Sequence, residues 1–282
     1  MIAQLLNGIA LGSLYMVLSS GLAMIYGLRG VTNFAHGSLY MAGAYVAMSV
    51  SAHVNFWAAL IAAPIVLAIV GASLELIFFR NLQDRNHIEV GLVTFGLSMV
   101  LERVIVLVWG EQTHTVSPPE VLTGSLSILG TSYPTYRVFL IILALVMAGA
   151  LVWWIRYTRT GLYVRAASRD VQAASVLGIN VDRVSLIVVC VGGALAGLAG
   201  ALAAPYISVS PTMGMQILIT VLIVVVVGGA GSIGGAMIAG MALGVLQTMG
   251  NIWVPALAAL IPFAALVVVL LWRPQGIAGK KV

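Results

Sequence analysis

Long apolar runs separated by short polar or charged segments make up almost the whole chain. The longest uncharged stretch lies between Arg183 and Arg273, where no Asp, Glu, Lys, Arg or His occurs. A membrane-spanning helix needs about 20 apolar residues, so this stretch alone predicts several spans, with breaks near 204–214, 228–235 and 250–255. Strands of a membrane β-barrel alternate polar and apolar residues. These runs do not alternate, and the pattern therefore predicts an all-α bundle.

The same pattern delimits nine apolar segments along the sequence. They lie at about 5–27, 37–52, 56–79, 88–109, 136–156, 184–203, 215–229, 232–250 and 255–272. The segments 37–52 and 215–229 are short for a span, so either one is expected to be a half-helix or a re-entrant segment. Residues 1–282 are therefore predicted to form a single polytopic transmembrane helix bundle with eight or nine spans.

The composition is that of a chain whose solvent is lipid. Hydrophobic residues make up 61% of the sequence and charged residues only 7%, with a mean hydropathy of +1.11. A soluble domain carries roughly 25% charged residues. A surface with so little charge would aggregate in water, because large exposed apolar patches bind one another. The chain is therefore expected to lie in a membrane and to contact lipid.

The distribution of positive charge predicts how the bundle is oriented. Short loops that carry Lys and Arg stay on the cytoplasmic side of a membrane. Eleven of the 13 Lys and Arg residues fall in alternate loops, at 28–36, 80–87, 156–183 and 273–282. This alternation predicts an external N-terminus and a cytoplasmic C-terminus. Because the basic residues are spread over four loops, the positive net charge is explained by topology, and no nucleic-acid partner is expected.

Two loops are long enough to have structure of their own. The external loop at about 110–135 contains a run, Val121–Leu129, that is expected to form a short hairpin. The cytoplasmic loop at about 156–183 is predicted to contain a helix from about Arg169 to Leu177, with Ser168 as its N-cap and Gly178 at its end. A helix so short is marginal alone in water, so it is expected to pack against the bundle or a partner.

Two glycine patterns are interpreted as packing devices. Gly229-x-Gly231-x-x-Gly234 has the spacing of a dinucleotide-binding fingerprint, but that motif needs an acidic residue about 20 positions later. No Asp or Glu follows Asp182, so a tight turn between two spans is the better interpretation. Pairs of glycines four residues apart allow helices to approach closely. Such pairs occur at 8 and 12, 193 and 197, and 240 and 244.

No pattern in the chain predicts catalysis or a metal site. A phosphate-binding loop for ATP requires a lysine after its glycines, and the only lysines are Lys280 and Lys281. The four histidines are scattered over different segments, so no metal site is expected. His36 is expected to have a structural hydrogen-bonding role. The chain is therefore predicted not to be an enzyme and to bind no cofactor of its own.

Charged and polar groups within spans mark the remaining candidate sites. Glu75 and Arg80 lie near the inner end of the third span and are expected to snorkel or to pair locally. Adjacent residues on a helix do not face each other, so Glu102 and Arg103 each need a separate partner or water. Uncharged polar groups in or beside spans are candidates for lining a translocation path: Ser19, Asn33, Ser38, Thr94, Ser98, Gln216, Thr220 and Gln247.

Three segments in a fixed order carry a resemblance to a known family. The first comprises Ile25-Tyr26-Gly27, Asn33-Phe34-Ala35-His36-Gly37 and Gly43-Ala44-Tyr45. The second comprises Gly161, Arg165-Ala166, Asp170, Ala173-Ala174 and Gly178-Ile179-Asn180, and the third runs from Val227 to Gly235. Together they resemble branched-chain amino acid permeases of bacterial ABC importers, of the LivH type.

The resemblance implies a multi-pass permease of the bacterial inner membrane. Its partners would be a second, related permease chain, two ATP-binding subunits that hold ATP and Mg, and a periplasmic solute-binding protein. Contact with the ATPase would be made by the second segment, at Gly161, Arg165, Asp170, Ala173, Ala174, Gly178 and Asn180. Relatives with the same motifs are similar to urea and amide permeases, so those solutes stay open. A carrier or channel acting alone and a structural subunit of a respiratory complex are the rival interpretations.

Overall fold

A computed structural model describes residues 1–82, 85–128 and 130–279. Within them most of the chain is helical. The helices are α1 Ile2–Arg29, α2 His36–His53, α3 Phe56–Ile77, α4 His87–Trp109, α5 Thr135–Tyr157, α6 Arg159–Ala167, α7 Val171–Val176, α8 Val181–Ala203, α9 Met213–Gly228, α10 Ile233–Trp253 and α11 Ile261–Trp272. Short 3-10 turns occupy Phe79–Leu82, Glu120–Leu122 and Pro255–Leu260. Lys280 and Lys281 lie outside the described residues.

Among the described residues, seven helical segments are long and apolar enough to cross a membrane. They are α1, α3, α4, α5, α8, α10 and the combined segment Pro255–Trp272. The all-α polytopic prediction is therefore confirmed. Helices α2 and α9 coincide with the two short segments, and neither is among these seven. The count of nine spans and the orientation in the membrane stay predictions.

The loops gather at two ends of the bundle. At the end that we call the basic end, Arg80 bonds Asp182 and Gly231 packs against Gly27. At the opposite end, called the hairpin end, the backbones of His114 and Val209 pair. The strands β1 Ser125–Ile128 and β2 Thr131–Pro134 form an antiparallel hairpin there. The hairpin was predicted one strand too early, at Val121–Leu129. Residues 120–122 form a 3-10 turn instead, and Leu129 is outside the described residues.

Two sets of four helices are arranged as repeats of opposite direction. In the first repeat, α1–α4, helix α1 runs from the hairpin end to the basic end. In the second repeat, α8–α11, helix α8 runs the opposite way. The most extensive packing is of α1 on α10 and of α3 on α8, and α2 and α9 cross near the middle of the bundle. If each helix is replaced by its counterpart in the other repeat, the pair of α1 and α10 becomes the pair of α8 and α3. Membrane proteins built from inverted repeats have this symmetry.

Glycines make the two large helix pairs possible. A Cβ on Gly12 would lie 2.7 Å from the carbonyl oxygen of Met241, and one on Gly244 would lie 2.2 Å from the amide nitrogen of Gly12. In the other pair, a Cβ on Gly193 would lie 2.4 Å from the carbonyl oxygen of Leu67. Real Cβ contacts are not this short. The interpretation of these glycines as helix-packing positions is therefore confirmed.

Candidate translocation path and coupling surface

The chain re-enters the bundle between α1 and α2. After Arg29 the backbone turns at Gly30, whose φ is +67°, and α2 begins at His36. The ring Nε2 of His36 lies 3.1 Å from the carbonyl oxygen of Leu18. Leu18 precedes Arg29 by roughly 16 Å along α1, at 1.5 Å per residue. The N-terminus of α2 therefore lies deep inside the bundle.

Four of the predicted path residues meet where this segment contacts α4. The backbone amide of Phe34 donates to the hydroxyl of Thr94 at 3.2 Å. The hydroxyl of Ser38 donates to the carbonyl oxygen of Ser98 at 3.3 Å. Asn33, Ser38, Thr94 and Ser98 are all buried. These four residues are distant in sequence, and the structure brings their polar side chains together within an otherwise apolar bundle.

Two side-chain atoms in this region have no hydrogen-bond partner among the described residues. They are Nδ2 of Asn33 and Nδ1 of His36, and both residues are buried, with 3% and 0% exposure. A carbonyl oxygen only accepts, so Nε2 of His36 donates to Leu18 and Nδ1 is left as an acceptor. The structural hydrogen bond expected of His36 is present, and the unpartnered Nδ1 is an addition that the sequence did not reveal.

The other four predicted path residues lie elsewhere. Ser19 donates to the carbonyl oxygen of Ala236 at 3.2 Å, and Gln247 accepts from the hydroxyl of Tyr15 at 2.9 Å. Both bonds join α1 to α10, so these two side chains stabilise that helix pair. Gln216 is exposed and Thr220 half-buried. Because four residues separate them on α9, they lie on one face of that helix.

Two close glycine contacts join the repeats across the middle of the bundle. A Cβ on Gly37 would lie 2.2 Å from the carbonyl oxygen of Gly214, and one on Gly214 would lie 2.9 Å from that of Gly37. Gly21 and Gly192 approach each other in the same reciprocal way, at 3.2 and 3.4 Å. Helices α2 and α9 are thus closed on each other at the N-terminus of α2.

A cluster of polar groups joins three helices at the basic end. The guanidinium of Arg29 forms an ion pair with Glu75 and donates to the hydroxyl of Ser185 at 2.7 Å and to the carbonyl oxygen of Phe79 at 3.0 Å. Glu75 is only 2% exposed. The local pairing expected for Glu75 is therefore replaced by a contact with a helix 46 residues away in sequence. Arg80 instead bonds Asp182 at 2.9 Å.

The predicted coupling loop contains two short helices, where one was expected. Asp170 caps α7, since its side chain accepts from the amide of Ala173 at 2.9 Å. Ser168 was expected to be that cap and instead ends α6. Helix α7 is therefore shorter than the predicted Arg169–Leu177. The stronger carboxylate acceptor at position 170 provides the reason for the shift.

The coupling residues hold this loop on the bundle. A Cβ on Gly161 would lie 2.4 Å from the carbonyl oxygens of Trp154 and Ile155, so Gly161 allows α6 to fold back on α5. Gly161 lies within α6. Ala174 is the buried residue of α7. Further coupling residues serve local structure: Arg165 donates to the carbonyl oxygen of Arg156, Asn180 caps α8, and Gly178 has φ +83° as expected of a helix end.

Apolar side chains project from this loop away from the bundle. Val176 is 87% exposed and Leu177 is 79% exposed, and both lie at the basic end, beside Gly178. Ala173 is exposed on the same short helix. Neighbouring exposed apolar residues on an aqueous surface make this loop a candidate surface for contact with another protein. The coupling residues predicted from the sequence are Gly161, Arg165, Asp170, Ala173, Ala174, Gly178 and Asn180, and they do not include Val176 and Leu177.

A cavity of about 630 Å³ lies beside this loop at the basic end. Its wall includes Arg165, Ser168 and Arg169 of the loop and Gly27 of α1. The turn after α9 forms another part, with Gly229 at φ +102° and Gly231 at φ +81°. These positive angles favour glycine, which confirms the tight turn expected for the Gly229-x-Gly231-x-x-Gly234 pattern.

The described part of the chain contains no group of three metal-ligating side chains. Glu102 is half-buried and Arg103 exposed on α4, and neither side chain has a hydrogen bond or ion pair within that part of the chain. The expectation that each needs a separate partner or water stays a prediction.

Comparison with known proteins gives one consistent family. Residues 4–270 match the family described as "Branched-chain amino acid transport system / permease component". The chain is 32% identical over 294 residues to the "High-affinity branched-chain amino acid transport system permease protein LivH" of Salmonella typhimurium, covering 98% of this chain and 95% of that protein. It is 30% identical over 292 residues to BraD, the similarly named protein of Pseudomonas aeruginosa, with the same coverage of both.

Among solved structures, the chain is similar in fold to "PsaBC from Streptococcus pneumoniae in complex with Fab". The TM-score is 0.53 and the sequence identity 13%, and the match covers 98% of this chain and 97% of that one. At this identity the likeness concerns the fold alone. It shows that the arrangement of helices is shared with a solved protein over nearly the whole length.

Proposed function

Because this chain belongs to the branched-chain amino acid transport system permease family, we propose that it translocates branched-chain amino acids as the permease subunit of an ABC importer. It is a multi-pass inner-membrane protein with seven helical segments apolar enough to cross the bilayer. The urea and amide alternatives and the stand-alone carrier find less support, since its relatives are named as branched-chain amino acid permeases.

The exposed apolar tip of α7 is the observation that carries the coupling part of this proposal. Val176 and Leu177 project at the basic end, on a loop whose base is fixed by Gly161 and Ala174. A groove on an ATP-binding subunit would cover this tip and remove its apolar surface from water. Movement of that subunit would then be transmitted through α6 to the end of α5.

The proposal requires further partners that hydrolyse ATP, complete the path and deliver the solute. ATP and Mg bind to two separate ATP-binding subunits, and this chain holds no cofactor. A second, related permease chain completes the path, and a periplasmic solute-binding protein delivers the solute at the hairpin end. Coupling residues Gly161, Arg165, Asp170, Ala173, Ala174, Gly178 and Asn180 shape the loop that the ATPase contacts. The orientation with the basic end in the cytoplasm agrees with the charge of its loops.

The path itself is proposed to pass the buried polar group between α2 and α4 and the polar face of α9. Asn33, Ser38, Thr94 and Ser98 supply the first set of polar groups, and Gln216 and Thr220 supply the second. An amino acid of this class is a zwitterion with an apolar side chain. It therefore needs uncharged polar partners and apolar walls, and both are present here. Ser19 and Gln247 are left in the α1–α10 interface.

ATP-dependent uptake of leucine by the reconstituted complex tests the proposal. Leu177→Asp places a charge on the apolar tip and should release the ATP-binding subunit or uncouple ATP hydrolysis from uptake. Val121→Asp is the matched control, because Val121 is 78% exposed but lies at the hairpin end. It should retain the ATPase at the level of the unmodified protein.

Three results would contradict the proposal. Uptake by this chain alone in vesicles without ATP would support a stand-alone carrier. Uptake of urea in preference to leucine by the complex would reassign the solute. Normal ATPase retention and coupling in Leu177→Asp would leave the family assignment intact but exclude the tip of α7 as the coupling contact.

A further inference from the structure

The N-terminus of α2 is buried and yet has no side-chain cap. Six other helices begin with a side chain that accepts a hydrogen bond from a free backbone amide. These caps are Asn55 of α3, Asn86 of α4, Thr158 of α6, Asp170 of α7, Asn180 of α8 and Ser232 of α10. The cap position of α2 is Ala35, whose side chain has no group that can accept. A buried helix end without partners for its amides requires an explanation.

The first turn of α2 leaves hydrogen-bond donors free. The amide of His36 bonds the carbonyl oxygen of Asn33, and that of Leu39 bonds the carbonyl oxygen of Ala35. The amides of Gly37 and Ser38 between them have no partner among the described residues. Both residues are buried. Two donors therefore remain unsatisfied in a place that water reaches poorly, which costs free energy.

Two side chains at the same helix end are also unsatisfied. The Oδ1 of Asn33 accepts from the amide of Ala35 at 3.0 Å, which holds its carboxamide at the start of α2 with Nδ2 free to donate. Nδ1 of His36 is free to accept. Unpartnered buried polar groups are rare in folded proteins. Their clustering at one helix end indicates a place where a polar ligand is received.

We propose that the N-terminus of α2 binds the carboxylate of the amino acid during translocation, an inference that rests on the proposed function. The two free amides and Nδ2 of Asn33 are donors for a carboxylate, and the positive end of the helix dipole favours negative charge. Nδ1 of His36 accepts a hydrogen bond from the ammonium group of the same zwitterion. Leu218 of α9, next to Gly37, offers apolar surface to the solute's side chain.

The site is closed in this structure by the contact of Gly37 with Gly214. Entry of a solute therefore requires α9 to separate from α2 at this crossing. The free amides lie on the helix that would be uncovered, so opening of the path and exposure of the carboxylate site are one event. Movement driven by ATP would then control access to the site, and the ATP-binding subunit would not need to contact the solute.

Asn33→Asp tests the inference with a side chain of nearly the same shape. The new carboxylate still accepts from the amide of Ala35 but replaces the Nδ2 donor by a negative oxygen facing the solute's carboxylate. The maximal rate of leucine uptake should fall by at least about tenfold, because a charge-assisted hydrogen bond is exchanged for repulsion. Asn55→Asp, the same change at the exposed cap of α3, should leave uptake unchanged.

Cross-linking with photo-leucine gives a second measurement that does not depend on how the variant folds. This diazirine analogue keeps the carboxylate and ammonium groups of leucine. It should label residues 33–41 and 214–218 of the unmodified complex when turnover is arrested with ATP and vanadate, and an excess of leucine should suppress the label.

The two proposals fail in different ways. Absence of leucine uptake by the unmodified complex would overturn the proposed function. Normal leucine uptake in Asn33→Asp would overturn the carboxylate site alone, as would photo-leucine labelling confined to other helices. If Asn33→Asp fails to assemble, labelling at 33–41 in the unmodified complex still supports the site, and labelling elsewhere still refutes it.

Discussion

The two repeats share one packing scheme but differ sharply in chemistry. Each repeat presents a glycine-rich helix to a partner helix of the other, as Gly12 does to α10 and Gly193 does to α3. The first repeat carries the buried His36 and Glu75, and its half-buried Arg29 pairs with Glu75. The second has no Asp, Glu, Lys, Arg or His from residue 184 to 272. Helix packing therefore depends on small residues in both repeats, whereas buried charge is confined to the first.

Helices α2 and α9, which coincide with the two short apolar segments, show the same contrast at their N-termini. The N-terminus of α2 is buried beside Asn33 and His36, which each keep an unpartnered polar atom. Helix α9 follows Ser210 and Thr212, whose hydroxyls lie 3.5 Å apart and are exposed. No unpartnered buried side-chain atom occurs at the start of α9 within the described residues. This contrast supports the proposal that the first repeat recognises the solute and that the second forms the moving wall of the path.

The largest effect should come from removing charge in the first repeat. Arg29→Met leaves Glu75 buried without its partner, and breaking a buried ion pair costs about 3–5 kcal/mol. The melting temperature of the purified protein in detergent should fall clearly. Arg29→Met combined with Glu75→Met should recover most of that loss, because an apolar pair of similar volume requires no buried charge. Additive losses in the double variant would contradict a direct ion-pair role.

The next largest loss of stability is expected where Gly37 of α2 contacts Gly214 of α9. In Gly37→Ala the new methyl group meets a carbonyl oxygen at 2.2 Å, whereas in Gly214→Ala the nearest atom is at 2.9 Å. Overpacking costs about 1–3 kcal/mol, and the change in the first repeat should lie at the upper end of that range. Melting temperatures of both variants measure the difference. Equal losses would mean that the crossing relaxes symmetrically.

The sequence predicted the helical bundle well because apolar runs and glycine spacing are local signals. The positions of all nine apolar segments, the packing role of Gly8, Gly12, Gly240 and Gly244, and the turn at Gly229 follow from residues close together in the chain. The family was predicted from three motifs and is confirmed. These features need no knowledge of which helices meet.

The candidate site was predicted less completely because it depends on contacts between distant residues. Asn33 and Thr94 were selected only as polar groups in spans, and nothing in the sequence showed that they meet. Arg29 and Glu75 were not paired, since 46 residues separate them. Ser168 was chosen as a cap over Asp170, although either residue type is a good cap. The missing cap at the N-terminus of α2 can be recognised only from the hydrogen bonds of the folded chain.

A smaller effect on stability is expected from a change at Gly178, in the loop that connects the two repeats. Gly178→Val forces a branched side chain into the left-handed conformation, which costs about 1–2 kcal/mol, and no atom lies within 4 Å of the new Cβ. The bundle should insert and melt almost normally while leucine uptake per ATP hydrolysed falls. Val121→Ile at the hairpin end is a control for added bulk on an exposed apolar residue. Normal coupling in Gly178→Val would show that the shape of this loop does not matter to the ATPase.

The smallest effect should come from the exposed ion pair between the repeats. Arg80, beyond the end of α3, bonds Asp182 at the start of α8, and their side chains are 54% and 42% exposed. Exposed pairs contribute about 0–1 kcal/mol and are weakened by salt. Arg80→Ala should therefore shift the melting temperature little, and the shift should vanish in high salt. The loss in Arg29→Met should persist in high salt, because its partner Glu75 is buried. If salt removed both losses equally, the pair at Glu75 would behave as an exposed one, and the distinction between a charged interior in the first repeat and an apolar one in the second would fail.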